Sequence, residues 1–420
     1  MLQTIELTPG VILRCFPDRR FKQGYLSVQL LRPMCRQEAA MNALLPAVLL
    51  RGSQSCPDLR AITLRLDDLY GASVGALVRR IGDYQTTGLY CSFMEDKYAM
   101  QGDQILQPMV DFLAELLFRP ALETGVFRGD YVESEKRNLV LTIESQRNDK
   151  RSYAGSRMIE LMCKNDSFGI PRLGEKAQVE QIDPAGLYAH YRRILQESPV
   201  HLFYVGSAQA QTVAALLKPL FADISRNYVN LPAQTAFLGE GYAEHTEQLD
   251  VTQGKLCMGF VTPITLRHRD FAAMQVCNML FGGGMTSKLF MQIREEQSLC
   301  YDISSGYHGS KGILTVSAGI DFDKEMQVRR QVMAQLEACQ NGDFTDEELT
   351  AAKQALITQL QGTHDSPGAI EGYYGSGALS GLSLTPGQYM DAVDAVTGSQ
   401  VAAAARTLQL HTVYFLKGVR

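Results

Sequence analysis

The sequence lacks the surplus of positive charge that a nucleic-acid or anionic-membrane surface demands. Lys and Arg number 40 against 45 Asp and Glu, a formal net charge of -5, so no basic field draws polyanions. Long apolar runs are missing as well. No stretch approaches the roughly 18 apolar residues of a membrane helix, and the opening MLQTIELTPGVILRCF alternates like a strand rather than carrying the apolar run and cleavage site of a secretory signal. Cysteine is present but unorganised. The nine residues (Cys15, Cys35, Cys56, Cys91, Cys163, Cys257, Cys277, Cys300, Cys339) are odd in number, scattered, and never spaced C-x-x-C. That pattern predicts buried thiols in a reducing cytoplasm. Histidine is absent before His190, and no two of the seven (His190, His201, His245, His268, His308, His364, His411) stand four apart.

What is present is a folded chain with an internal echo. At 420 residues it is too long for one ordinary core, so two domains or a duplicated unit is the expectation. GYLSVQLLRPM from Gly24 aligns with GKLCMGFVTPI from Gly254, each a strand of period two. The same offset of 230 then pairs Ala43 with Ala273, Leu50 with Leu280, Gly52 with Gly282, Leu59 with Leu289 and Leu69 with Leu299. A constant register over that distance is the signature of duplication. Farther on, YQTTGLYCSF and GILTVSAGI each precede a helix striped by Met109, Phe112 and Leu116 or by Val328, Val332 and Leu336. A second long helix follows in each half, the later one opened by a capping box at Thr345 and Glu348.

The predicted fold is α+β: two homologous lobes, each an antiparallel-rich sheet with helices packed on one face, closing as a clamshell around a ligand cleft. The lobes are assigned to 1–225 and 245–420, with 226–244 as connector because it carries Pro232, Gly239 and Gly241 without a helical stripe.

FGGGMTSKLFMQIREEQSLCY, 281–301, is the stretch richest in chemical possibility. A phosphate loop would end in Gly-Lys-Ser/Thr, but Met285 and Thr286 follow Gly284 and Lys288 comes too late. G-x-G-x-x-G is also missing. The glycines are expected to turn the chain between two helices by adopting angles that other residues resist. The second helix would bury Leu289, Phe290 and Ile293 and expose Arg294, Glu295 and Glu296. Geometry alone leaves Arg294 open as either a solvated arginine or a ligand contact.

GGGMTSKLFMQIREEQSLCYDISS resembles the second-lobe signature of the insulinase/pitrilysin family of zinc peptidases, roughly Gly-Gly-Gly, Ser-x-Leu-Phe, Ile-Arg-Glu and Leu-Ala-Tyr. The duplicated lobes, the connector and the closing strand TVYFLKG extend the similarity over nearly the whole chain. The resemblance implies that Arg294 and Tyr301 hold backbone carbonyls of a bound peptide, a role suited to a cationic fork and a phenol. It also implies a first-lobe helix with His-x-x-Glu-His and a later glutamate ligand, a zinc set with its general base. Counting back from Gly52 puts Ala43 and Ala47 at the histidines and Pro46 at the glutamate. Glu135 resembles the family's supporting glutamate, Thr142 stands where the third ligand belongs, and Glu144 points about 200° away around the helix. Pro46 suggests that its helix starts or kinks there.

The resemblance therefore implies a member without catalytic or metal residues of its own and without a cofactor in this chain. As a non-catalytic subunit it would pair with a zinc-bearing relative, or with itself, and help bind a peptide or unfolded polypeptide for proteolysis or maturation. The alternative is an inactive scaffold, for example in peptide maturation or elongation factor P modification. Neither reading involves nucleic acid or a membrane, and both place the protein in the cytoplasm.

Overall fold

A computed structural model describes residues 1–222, 224–239 and 241–419. Residue 240, inside the expected connector, lies outside the described residues. The chain forms two compact units, one of Met1–Glu144, Ile170–Ala233 and His364–Ser376, the other of Ser145–Gly169, Gln234–Thr363 and Gly377–Arg420. Each unit thus takes one segment from the opposite half of the chain, an exchange that chain order does not announce.

The first unit is built on a six-stranded sheet in the order Gln3–Thr8, Val11–Pro17, Val200–Gly206, Gln23–Pro33, Tyr84–Met94, Ser73–Ile81. All neighbours are antiparallel except Val11–Pro17 beside Val200–Gly206. The second unit repeats five of these positions as Ala243–Leu249, Gln409–Gly418, Gly254–Val261, Ile313–Ile320 and Asp302–His308. Its parallel pair, Gln409–Gly418 beside Ala243–Leu249, falls at the matching place. The α+β reading holds, and the duplication shows in sheet order as well as in residue register. Among the described residues the second sheet has no counterpart of Gln3–Thr8.

Alternation decides the faces. Leu26, Val28 and Leu30 point into the main core of the first unit with Met109, Phe112 and Leu116 from helix Leu106–Phe118. On the other face Tyr25, Phe16, Phe203 and Val205 meet Ile370, carried on helix Pro367–Ser380 from the far end of the chain. In the second unit Met158, Ile159 and Met162 of helix Lys150–Met162 cover Cys257, Tyr414 and Leu416 in the same manner. The expected helices appear at Gly129–Ser145 and Asp346–Gln361, the latter with both bonds of the Thr345/Glu348 capping box. Eight of the nine cysteines are buried and free, Cys35 being half-buried.

Pro46 does not start its helix. The helix runs Arg36–Leu49 with Pro46 inside, although proline there removes the N–H that would reach the Asn42 carbonyl. The orphaned carbonyl is satisfied from the sheet, where the Thr87 hydroxyl donates to it at 2.6 Å. Thr87→Val, nearly isosteric, should leave that carbonyl buried and unpaired at a cost of about 1–3 kcal/mol. Adding Pro46→Ala restores the helical N–H and should recover part of the loss, as measured by urea denaturation of wild type, single and double variants.

Candidate functional site

The first-unit positions hold no donors for a metal. Ala43 and Pro46 are buried and Ala47 half-buried on helix Arg36–Leu49. Thr142 is exposed on Gly129–Ser145, its hydroxyl donating at 2.9 Å to the Asn138 carbonyl one turn back. Glu135 accepts from Arg51 at 3.2 Å and from Asn138 at 3.1 Å, and Glu144 pairs with Lys176 at 2.5 Å. Among the described residues no group of three or more His, Cys, Asp or Glu could hold a metal ion. Alanine and proline side chains offer no lone pair, so this set does not fit zinc.

In place of a metal set the same helix joins a buried hydrogen-bond chain that sequence reasoning did not find. The Arg193 guanidinium can only donate, so His190 Nδ1, 3.0 Å away, must accept and its proton sits on Nε2. Nε2 donates to Asn42 Oδ1 at 2.7 Å, Asn42 Nδ2 donates to Gln85 Oε1 at 2.9 Å, and Gln85 Nε2 donates to the carbonyls of Ala39 and Arg172. Glu38 closes the other end, gripped by Arg32 through two bonds of 2.8 Å and by Arg193 at 2.8 Å. Burial opposes charge on Glu38, but the bonds and charge of Arg32 and then Arg193 outweigh it and hold the carboxyl below its ordinary range. Burial drives His190 down to about 4, with Arg193 and Arg32 adding to the effect and Glu38 resisting it. Each link of the chain runs from a donor to an acceptor, and the neutral imidazole is locked in one tautomer. Nothing in the sequence flags these residues, because they lie far apart in the chain and only the fold brings them together.

The second-unit stretch is ordered differently from the expected pair of helices. Helix Phe271–Asn278 continues as a π-helical turn, Met279–Gly283, and a second π-helical segment spans Leu289–Glu296. Gly282 is needed for close approach rather than for unusual angles, and none of the three glycines has positive φ. A Cβ on Gly282 would lie 2.7 Å from both Leu289 Cδ1 and Ser305 Oγ. Leu289 and Ile293 are buried while Phe290 remains half-exposed beneath Arg294, whose guanidinium carbon sits 4.6 Å from the ring centroid. Arg294 is 40% exposed and its nearest carboxylate is Glu295 at 3.6 Å.

The segment between Arg294 and Tyr301 reverses sharply. Ser298 takes a positive φ of 50°, its N–H donating to the Arg294 carbonyl at 3.1 Å, and Leu299 N–H donates to Ile293 at 3.0 Å. Tyr301 N–H then joins the sheet through Gly319 at 2.8 Å. The Tyr301 ring is 59% exposed and its hydroxyl donates to Asp321 at 2.8 Å, which raises the phenol pKa. Arg294 and Tyr301 therefore flank one tight turn fixed by backbone bonds, both side chains reach solvent, and no hydrogen bond joins the two. The guanidinium so placed can serve carbonyl oxygens of an extended chain, whereas the single phenolic O–H is given to Asp321 and would have to leave it to do the same. π-Helical segments recur at functional positions.

Comparison with known proteins decides the family. Residues 181–356 match the model described as the peptidase M16 inactive domain. The chain is 32% identical over 409 residues to the Bacillus subtilis protein named "Probable inactive metalloprotease YmfF", covering 97% of this chain and 96% of that one. The chain belongs to the M16 peptidase family. Within this family, the insulinase/pitrilysin group of the sequence resemblance, it is an inactive metalloprotease homologue. A second relative from the same bacterium, "Uncharacterized zinc protease YmxG", is 23% identical over 74% of this chain and 75% of its own length. The fold superposes on a conserved Enterococcus faecalis protein with a TM-score of 0.92 at 29% identity, over 99% of this chain and 98% of that one. Among the described residues of this M16 homologue no helix is long and apolar enough to cross a membrane.

Proposed function

We propose that this chain is the non-catalytic member of a two-subunit M16 peptidase, acting in the cytoplasm beside a zinc-bearing relative and contributing Arg294 and Tyr301 to the main chain of a peptide substrate. The observation that carries the reading is an asymmetry. At the positions where the family resemblance puts metal ligands the first unit has alanine, proline and threonine, whereas the second has a solvent-facing guanidinium and a phenol on one tight turn. The presence in one bacterium of both an inactive and a zinc-protease relative supports a division of labour.

The isolated chain should hydrolyse no peptide. Mixed with a zinc-bearing M16 relative from the same source, it should restore cleavage, and Arg294→Ala or Tyr301→Phe should each lower kcat/KM of the pair about tenfold, equivalent to about 1.4 kcal/mol of transition-state binding. An unaltered rate from the doubly substituted complex would remove the clamp role. Stable co-purification with an unrelated enzyme and no such relative would favour a scaffold instead.

A further inference from the structure

The two units treat one equivalent groove in opposite ways. In the first, helix Leu106–Phe118 and strands Gln23–Pro33 and Val200–Gly206 border a groove closed by helix Ala210–Leu217 and the turn Lys218–Phe221. Leu217, Leu220 and Phe221 enter it, Phe221 meeting Phe118 edge to face with centroids 5.4 Å apart. The void that remains is about 10 Å³.

In the second unit helix Glu325–Asn341 and strands Gly254–Val261 and Gln409–Gly418 hold the matching places, and the offset of 230 sets Met258 where Val28 stands. The lining comes only from that helix and those two strands, and the groove is open with a volume of about 590 Å³. Met326 and Met333 on the wall are 59% and 37% exposed. Methionine is unbranched and adapts to differently shaped apolar partners. Two charges flank this apolar surface. Arg330 and Glu337, two turns apart on one helix face, are exposed, and among the described residues neither has an ion-pair partner. Arg329 differs, being held by Glu244 and Glu325.

We propose that this groove docks an amphipathic helix of a second protein. Its apolar face would carry Leu or Phe at i, i+3 and i+4, the spacing by which Leu217, Leu220 and Phe221 fill the sister groove. Acidic and basic residues on its rim would answer Arg330 and Glu337. The inference is independent of the peptidase reading, because it uses neither Arg294 nor Tyr301.

The test is fluorescence polarisation with the full chain and a labelled synthetic peptide of residues 208–222. Saturable binding is expected, weakened at least about tenfold when the peptide carries Leu217→Ser, Leu220→Ser and Phe221→Ser. Ala334→Trp, which fills only the second-unit groove from an exposed position, should weaken it equally. Met333→Glu is the second variant, and an unchanged thermal melt shows that each still folds. A peptide carrying Gln211→Glu and Lys218→Glu should bind wild type at least about threefold more tightly than Arg330→Glu. Absence of saturable binding below about 1 mM, or binding indifferent to both groove variants, would overturn the proposal. A self-dimer abolished by Ala334→Trp would overturn it too, by making a second copy the occupant.

Discussion

Glu371→Ala should lower the unfolding free energy by about 3–5 kcal/mol, the largest loss expected from any single truncation considered, because it strips a buried ion pair of one partner. Glu371 is 0% exposed on the helix that the far end of the chain delivers to the first unit. Arg79 reaches it with two parallel bonds of 2.9 and 2.8 Å, and Gln29 donates a third at 2.6 Å. Burial disfavours the charge on Arg79, yet its bonds and charge contact with Glu371 more than compensate and raise its pKa. Truncation leaves that guanidinium without a counter-charge and the Gln29 amide with only its longer 3.4 Å bond to the Ser27 hydroxyl. The double variant Arg79→Leu, Glu371→Leu should lose less than Glu371→Ala alone, since it removes both charges. The readouts are urea denaturation and amide exchange across 364–376, which should lose protection first. A Glu371→Ala protein within about 1 kcal/mol of wild type, with 364–376 still protected, would show that apolar contacts alone hold the exchanged segment.

Acid should destabilise the protein through His190 before most carboxylates titrate. The folded-state pKa is about 4 against an ordinary 6.5, so the unfolded chain binds the proton more readily. The stability at stake is fully present above pH 6.5, declines as pH falls toward 4, and declines no further below that. At about 1.4 kcal/mol per unit the span is about 3 kcal/mol, a conversion suited to a side chain only 4% exposed. The geometry agrees with the direction, because a second ring proton on Nδ1 would face Arg193. His201, pushed down to about 3 by burial and by Arg14, adds its own slope. The difference between wild type and His190→Gln therefore isolates the His190 share. His190→Gln can still accept from Arg193 and donate to Asn42, so its stability should vary less between pH 6.5 and 4. Identical pH profiles for the two proteins would refute the assignment.

Legibility followed chain distance. Strands of period two around Leu26 and Leu256 and the capping box at Thr345 and Glu348 were readable, because each is a pattern within a few turns of chain. The continuation of the helix past Pro46 was not. It depends on a hydroxyl from Thr87, on a strand well removed in sequence, and local propensity does not register such a partner. Gly282 was legible as a turn glycine but not in its reason, since close approach to Leu289 and Ser305 exists only once the strand Asp302–His308 is in place.

Duplication, sheet class and the family were determined by the sequence itself, through periodicity, constant register and motif that a linear chain can carry. Tertiary structure alone decided which helix fills which sheet face, which polar groups satisfy one another around His190 and Glu371, and which of two sister grooves is closed. These depend on long-range packing and on leaving no buried donor or acceptor unpaired, conditions that a single segment cannot encode.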